Sequence, residues 1–249
     1  MRILVLADRI FRPHLGDGLR FCGLLRPLAE VHELDLISYV KEGEQFAPEI
    51  RALFRAVTLV PSPPDKRSPI FQRIIKAVSA RDFVRTSDQM RSAIEAALGT
   101  NRYSLAFDAG GYVLANLPKE TLSIPLIIDA VDEPLIRELR AMRTAPISKK
   151  LSHVTRIWRN WLFEKSAFAR GEVVIFASEV DAAFYKRCFR GRRVAVIPNG
   201  VDATHYAPSG LDSEYGLVVF EGNMHFGPNA DTGAATGFGH SSSSCCTGA

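Results

Sequence analysis

No stretch of the sequence approaches the roughly 18 consecutive apolar residues that a membrane-spanning helix needs. The opening run Ile3–Ala7 halts at Asp8 and Arg9, too short for a secretion signal and without a cleavage site. Cysteine is scarce: Cys22, Cys188 and the adjacent Cys245 and Cys246 form no C-x-x-C spacing, so neither zinc nor a dithiol redox centre is indicated. Cys22 and Cys188 fall in helical patterns and are expected as small buried hydrophobes, and a reducing cytosol fits this usage. His14, His205 and His225 stand alone without metal-ligand spacing and read as surface or loop residues. No sign of charge dominates: 31 Lys and Arg against 27 Asp and Glu leave +4, too little to argue for nucleic acid. A third glycine is also missing. Gly16 and Gly18 follow the first apolar run, but the dinucleotide fingerprint would need glycine where Phe21 stands.

What is present is 47% apolar residues, enough for a proper core. Short apolar runs alternate with helical patterns. Strands are expected at Arg2–Ala7, His32–Tyr39, Ala56–Val60, Ser104–Asp108, Pro125–Asp129, Glu172–Ala177 and Arg193–Ile197. Helices are expected at Leu19–Ala29, Ile70–Arg81, Asp88–Leu98, Lys149–Ala169 and from Ser178 to about Cys188. Thr86 with Gln89, and Ser178 with Asp181, have capping-box spacing, and Gly99 sits where a C-terminal cap belongs. The prolines of Pro61–Pro64 imply an ordered loop. The expected fold class is α/β: a Rossmann-like parallel sheet with helices on both faces, its strands continuous rather than alternating in hydrophobicity. Ligands of such sheets bind beyond the carboxyl ends of the strands. That singles out the loops Asp8–Gly18, Asp108–Tyr112, Asp129–Pro134 and Pro198–Asp202.

Three zones are expected. Residues 1–205 form the Rossmann-like domain, 206–231 a linker with the first strand and turn of an incomplete second domain, and 232–249 a disordered low-complexity tail. Several segments carry a family resemblance. They are Leu15–Arg20 after the first strand, Ile127–Asp132, Val196–Asp202 with its Pro-Asn-Gly-Val-Asp, and Phe220–Met224 with Pro228 and Asn229. In order and separation these resemble the family 4 glycosyltransferases of the GT-B fold, in particular bacterial sugar transferases of the exopolysaccharide type. The resemblance implies a retaining, hexosyl-type transfer from a nucleotide sugar to a hydroxyl acceptor in polysaccharide or glycan synthesis. It implies an acceptor-side domain first and a donor-side domain after it. No metal or other cofactor is demanded, since helix N-termini and basic side chains can hold the leaving diphosphate.

On that resemblance Asp132 and Asp129 are the catalytic candidates, orienting an acceptor hydroxyl or lying beside developing positive charge; the competing reading is a helix N-cap. Gly16, Asp17, Gly18 and Arg20, with Gly110 and Gly111, would line the acceptor side, the first loop being alternatively a plain strand–helix turn. Asn199, Gly200, Gly222 and Asn223 would face the donor, with Asn199–Gly200 otherwise a simple turn. Family members often carry an arginine and a lysine in the last of these loops. Asn223 and Met224 stand here instead, as in a subgroup with Gly-Asn-Met. The family's pair of donor-contacting glutamates belongs beyond Ala249, so this chain alone is expected to show little or no transfer.

The segment Lys149–Arg170 is basic and aromatic, with Leu151, Val154, Trp158, Trp161 and Phe168 near one stripe. A core-facing amphipathic helix is one reading. Peripheral contact with the inner face of the plasma membrane, where a lipid-linked glycan acceptor would sit, is the other. Partners are thus a nucleotide sugar and a glycan or lipid-linked glycan, not nucleic acid, in the cytoplasm. Two rivals stay open: a non-catalytic glycan- or partner-binding remnant, and another doubly wound enzyme with a nucleotide cofactor.

Overall fold

The computed structural model describes residues 1–12, 16–63, 86–100, 103–118 and 122–201. The expected helix at 70–81 and everything expected beyond Val201 lie outside the described residues.

Strands β1 (Arg2–Ala7), β2 (Glu33–Val40), β3 (Ala56–Pro61), β4 (Leu105–Ala109), β5 (Leu126–Val131), β6 (Val173–Phe176) and β7 (Val194–Val196) form one sheet. Its order is β3-β2-β1-β4-β5-β6-β7, with each described pairing parallel. The helices are α1 (Gly16–Val31), α2 (Pro48–Arg51), α3 (Asp88–Thr100), α4 (Pro134–Thr144), α5 (Ile147–Ala167) and α6 (Glu179–Cys188).

The two-residue period of β1 explains why its run is unbroken: Leu4 and Leu6 enter one core, Ile3, Val5 and Ala7 the other. The first core receives Met90 and Ile94 of α3, Phe163 and Ala167 of α5, and Ala182 and Tyr185 of α6. The second receives Phe21, Cys22 and Leu25 of α1 with Ile50 of α2. Each such side chain, fully buried, contributes roughly 1.5–3 kcal/mol. A strand covered on both faces therefore needs no polar positions.

Six local expectations are corrected. Helix α3 is capped by Ser87, whose Oγ accepts the Met90 N–H at 3.0 Å, rather than by Thr86; Gly99 lies inside the helix. Pro61 closes β3 opposite Val40 instead of starting a loop. Its missing N–H is tolerated because β3 ends the strand order. Cys188 is exposed, at the end of α6, while Cys22 is buried. The single helix expected at 149–169 is preceded by a second, α4, which forms an antiparallel-type hairpin partner across the short Ala145–Pro146 connection. Finally, Leu151, Val154 and Trp158 face solvent, and the buried face of α5 carries His153, Asn160, Phe163, Glu164 and Ala167.

Candidate functional site

From β1 the chain goes outward to β2 and β3, and from β4 outward to β5, β6 and β7. In open sheets of this kind ligands bind where the strand order reverses, which is here between β1 and β4, beyond their carboxyl ends. Asp8 follows β1 there, and Asp108 is the penultimate residue of β4. Asp108 is fully buried, and neither carboxylate oxygen has a formed hydrogen bond. Burial and the nearby Asp8 charge push its pKa well up, offset in part by the Gly111 and Val113 backbone N–H groups at looser geometry. Asp8 itself is paired with Arg9 at 3.0 Å.

Gly110 and Gly111 make the turn that follows, with φ of +104° and +78°. The Gly110 N–H donates to the Asp129 carbonyl at 2.8 Å. A Cβ on Gly111 would stand 2.9 Å from the Phe168 ring. Both glycines are thus demanded by backbone conformation, and Gly111 also by packing.

At the end of β5 the register against β6 slips between Asp129 and Val131. Val131 has φ of +64°, the one positive-φ residue other than glycine among those described. The Asp132 N–H bonds back to the Ala130 carbonyl at 2.8 Å across it. This is the rarer, strained form of γ-turn, on a β-branched residue for which the conformation is an outlier. Such strain persists only where the surroundings over-determine it, and it clusters at functional sites. Its consequence here is that Asp132 turns out to solvent at the carboxyl end of a central strand.

Asp129, two residues before the turn, is instead completely buried. Arg20 of α1 donates to both its oxygens at 2.9 Å, and Arg20 Nη1 also donates to the Ile197 carbonyl at 2.7 Å and Asn199 Oδ1 at 2.9 Å. An arginine cannot accept, so this contact fixes which end of the Asn199 amide faces it and leaves Nδ2 for another partner. Burial raises the Asp129 pKa, and the Arg20 and Val131 donors offset this incompletely. Desolvation outweighs the attraction, as is common for buried pairs. The pair therefore fixes geometry: it ties α1 and β5 to the segment after β7.

Neither aspartate is the cap of the next helix. Glu133 is, with its Oε2 accepting the Ile136 N–H at 2.6 Å ahead of Pro134 at the first helical position. Glu133 is buried together with Glu164 of α5. Burial, then the facing carboxylate, drives the Glu164 pKa upward, and burial does the same for Glu133. The raised value keeps the Glu164 carboxyl in its neutral form, which burial beside a second carboxylate favours.

In the first loop, a Cβ on Gly18 would overlap the Arg12 carbonyl oxygen, so this glycine serves the close return of its own chain. Gly16 meets nothing within 4 Å among the described residues, and Asp17 sits in the first turn of α1. Gly200 is exposed. Gly222 and Asn223 lie outside the described residues. Sequence reasoning placed Asp108 at the end of a strand and the start of a loop but gave it no role of its own, and it missed the Arg20–Asp129 pairing and the Val131 turn. An aspartate interrupting the apolar Leu105–Ala109 was the available signal; no local signal reveals a pairing across 109 positions.

Two open cavities of about 560 and 420 Å³ lie at the other edge of the sheet, one beside Arg170, Glu172, Arg192 and Arg193, the other beside Arg2, Asp35 and Tyr103. They are remote in topology from the strand ends where ligands of such sheets bind. Among the described residues, no three His, Cys, Asp or Glu side chains converge on a possible metal position, and no helix is long and apolar enough to cross a membrane.

Compared by sequence, the chain matches no family model and no curated protein. Solved structures do match it by fold. Sucrose-phosphate synthase from Thermosynechococcus elongatus superposes with a TM-score of 0.56 at 13% identity, over 84% of this chain and 50% of that one. A Medicago truncatula UGT complexed with UDP-glucose gives 0.48 at 12% identity, over 85% and 54%. Anabaena HepE in complex with UDP and glucose gives 0.47 at 14%, over 83% and 47%. The chain thus spans about half the length of these proteins. Its parallel sheet with helices on both sides is a Rossmann-like fold of the kind that makes up one half of the GT-B architecture.

Proposed function

We propose that the chain forms the acceptor-side wall of a glycosyltransferase that moves a sugar, with retained configuration, from a nucleotide donor to a hydroxyl of a glycan or lipid-linked glycan. The observation that carries this reading is the strained turn at Val131, which holds the exposed Asp132 carboxylate at the carboxyl end of β5 while the buried Arg20–Asp129 pair anchors that end to Asn199. Asp132 would accept the hydrogen bond of the attacking hydroxyl. As the new bond to the anomeric carbon forms, the bond to the diphosphate breaks, the nucleotide leaves with that electron pair, and the hydroxyl proton departs with it. Asp129 acts as a positioning residue, since it is sealed from solvent. Asn199 Nδ2 and the backbone at Gly200 would meet the donor. The fold supports the reading in kind; hexosyl specificity and a role in bacterial polysaccharide synthesis rest on the motifs. Transfer itself needs donor-side groups beyond the described residues.

The test is calorimetric titration of the chain with a panel of oligosaccharides, alongside incubation with labelled sugar nucleotides. Saturable glycan binding, weakened about tenfold by Asp132→Asn as befits one hydrogen bond to a charged group, is the expected result. The melting temperature should not change, because the side chain is exposed. Binding indifferent to Asp132, or no binding to any glycan, overturns the proposal.

A further inference from the structure

Helix α5 is built inside out. Ile147, Leu151, Val154 and Trp158 recur at i, i+4, i+7 and i+11, which places them on one face, and they are 87%, 74%, 50% and 51% exposed. The opposite face holds the buried polar residues His153, Asn160 and Glu164. Four large apolar side chains aligned in water are a patch that a soluble surface rarely carries without purpose. No described residue covers them.

Charge around the patch says what would. Residues 134–170 contain nine of the chain's 31 Lys and Arg but only two of its 27 Asp and Glu. Of those two, Glu164 is buried and protonated, and Glu138 is already matched by His153 at 2.9 Å and Arg156 at 3.3 Å. Arg140 and Arg143 end α4, and Lys149 and Lys150 begin α5, so four exposed cations surround the hairpin tip where the stripe starts. The aromatic end continues the theme. Trp158 stacks on Trp161 with centroids 5.4 Å apart, and Lys165 Nζ lies 4.8 Å from the Trp161 ring.

We infer that the exposed face of α5, with the basic tip of the α4–α5 hairpin, docks on an anionic lipid surface. The apolar stripe enters the headgroup boundary, the tryptophans occupy the interface their amphipathic rings favour, and the cations meet lipid phosphates. A protein partner matching this face would need its own dense acidic surface around an apolar groove; a bilayer supplies both features without special shape. The inference does not depend on the transferase reading, because it uses neither Asp132 nor the carboxyl ends of β1 and β4.

The chain supplies its own probe, since its two tryptophans both lie on this helix. The full chain is mixed with vesicles of phosphatidylcholine alone or with phosphatidylglycerol, and cosedimentation and tryptophan emission are followed. The expected result is binding and a blue shift with anionic vesicles only, weakened by salt. Lys149→Glu with Lys150→Glu should reduce binding about tenfold or more, and Ile147→Ser with Leu151→Ser should do likewise at unchanged melting temperature. Equal binding to neutral vesicles, no binding, or variants that bind like the parent overturn it. So does a concentration-dependent blue shift without lipid, which would assign the stripe to a second copy of the chain. A large fall in melting temperature for Ile147→Ser with Leu151→Ser would show the stripe to be packed, and would also overturn it.

Discussion

At the amino-terminal edge of the sheet, Asp35 gathers donors: Arg2 at 2.9 and 2.7 Å, Arg55 at 2.7 Å and the Tyr103 hydroxyl at 2.8 Å, with Arg2 also 5.2 Å from the Tyr103 ring centroid. Burial and then the Asp35 carboxylate push the Tyr103 hydroxyl pKa upward, so it remains a donor. At the carboxyl-terminal edge, Asp108 is sealed without a formed bond, Asp129 is paired at a net desolvation cost, Val131 is strained, and Glu133 is buried with Glu164, burial pushing both pKa values up. The residue types are similar at the two edges; the arrangements are opposed. One edge matches charge to charge and closes the sheet. The other accepts unfavourable local terms in order to fix the position of a few groups, among them the single exposed carboxylate of Asp132 in the turn after β5.

Three substitutions would break or sharpen that contrast. The largest effect is expected from Arg20→Met, which strands a buried carboxylate and should cost about 3–5 kcal/mol in urea unfolding. The double variant Arg20→Met with Asp129→Leu should recover most of the loss, because the penalty is an uncompensated charge and not lost packing. No recovery would show the pair to be stabilising in its own right. Next, Asp35→Asn at the matched edge should cost about 1.5–3 kcal/mol, the range for hydrogen bonds to a charged group, since Arg2 and Arg55 are partly exposed and can rehydrate. A neutral result would remove the idea that this edge is held by charge.

The smallest effect is a gain. Folded Glu164 keeps its proton at pH values where the unfolded carboxyl, near its ordinary 4.5, has released it. The folded value being raised, the associated stability is full below about pH 4.5 and is lost progressively as pH rises toward the folded value. Glu164→Gln keeps a donor toward Glu133 without needing that proton. Its melting temperature should therefore fall less between pH 5 and pH 9 than the parent's, with an advantage of about 2–4 °C at the alkaline end if the relief is near 1 kcal/mol. Parallel pH profiles would contradict a Glu164 that stays neutral in the fold.

The strands were legible because burial on both faces of a parallel sheet writes itself as a run of apolar residues. Arg2–Ala7 was placed at its observed bounds, and the other six strands within two residues at either end. The Ser178 cap was legible too, its Oγ accepting the Asp181 N–H at 3.1 Å. Helix α4 was not, because only Leu135 of its eleven residues is buried and the four charged positions, Arg137, Glu138, Arg140 and Arg143, interrupt its apolar pattern. The orientation of α5 went astray for the converse reason. Its clearest apolar periodicity points outward, while His153, Asn160 and Glu164 share the inward face with Phe163 and Ala167, and periodicity cannot tell which face the sheet will take. Of the candidate site, the loops were found from the rule about strand ends, whereas the exposure of Asp132 and the sealing of Asp129 were not, since they depend on a backbone reversal at Val131.

By itself the sequence determined the layered α/β architecture, because the spacing of apolar residues dictates which segments must be covered on two faces and which on one. It also determined where along the chain the loops beyond the carboxyl ends of the strands fall. Only the tertiary structure decided what each carboxylate in those loops does. The distinction between Asp129 and Asp132 comes from one arginine 109 positions away from the first and a strained turn preceding the second. Electrostatic roles depend on burial and on partners brought together through space, and neither is written in the local chain.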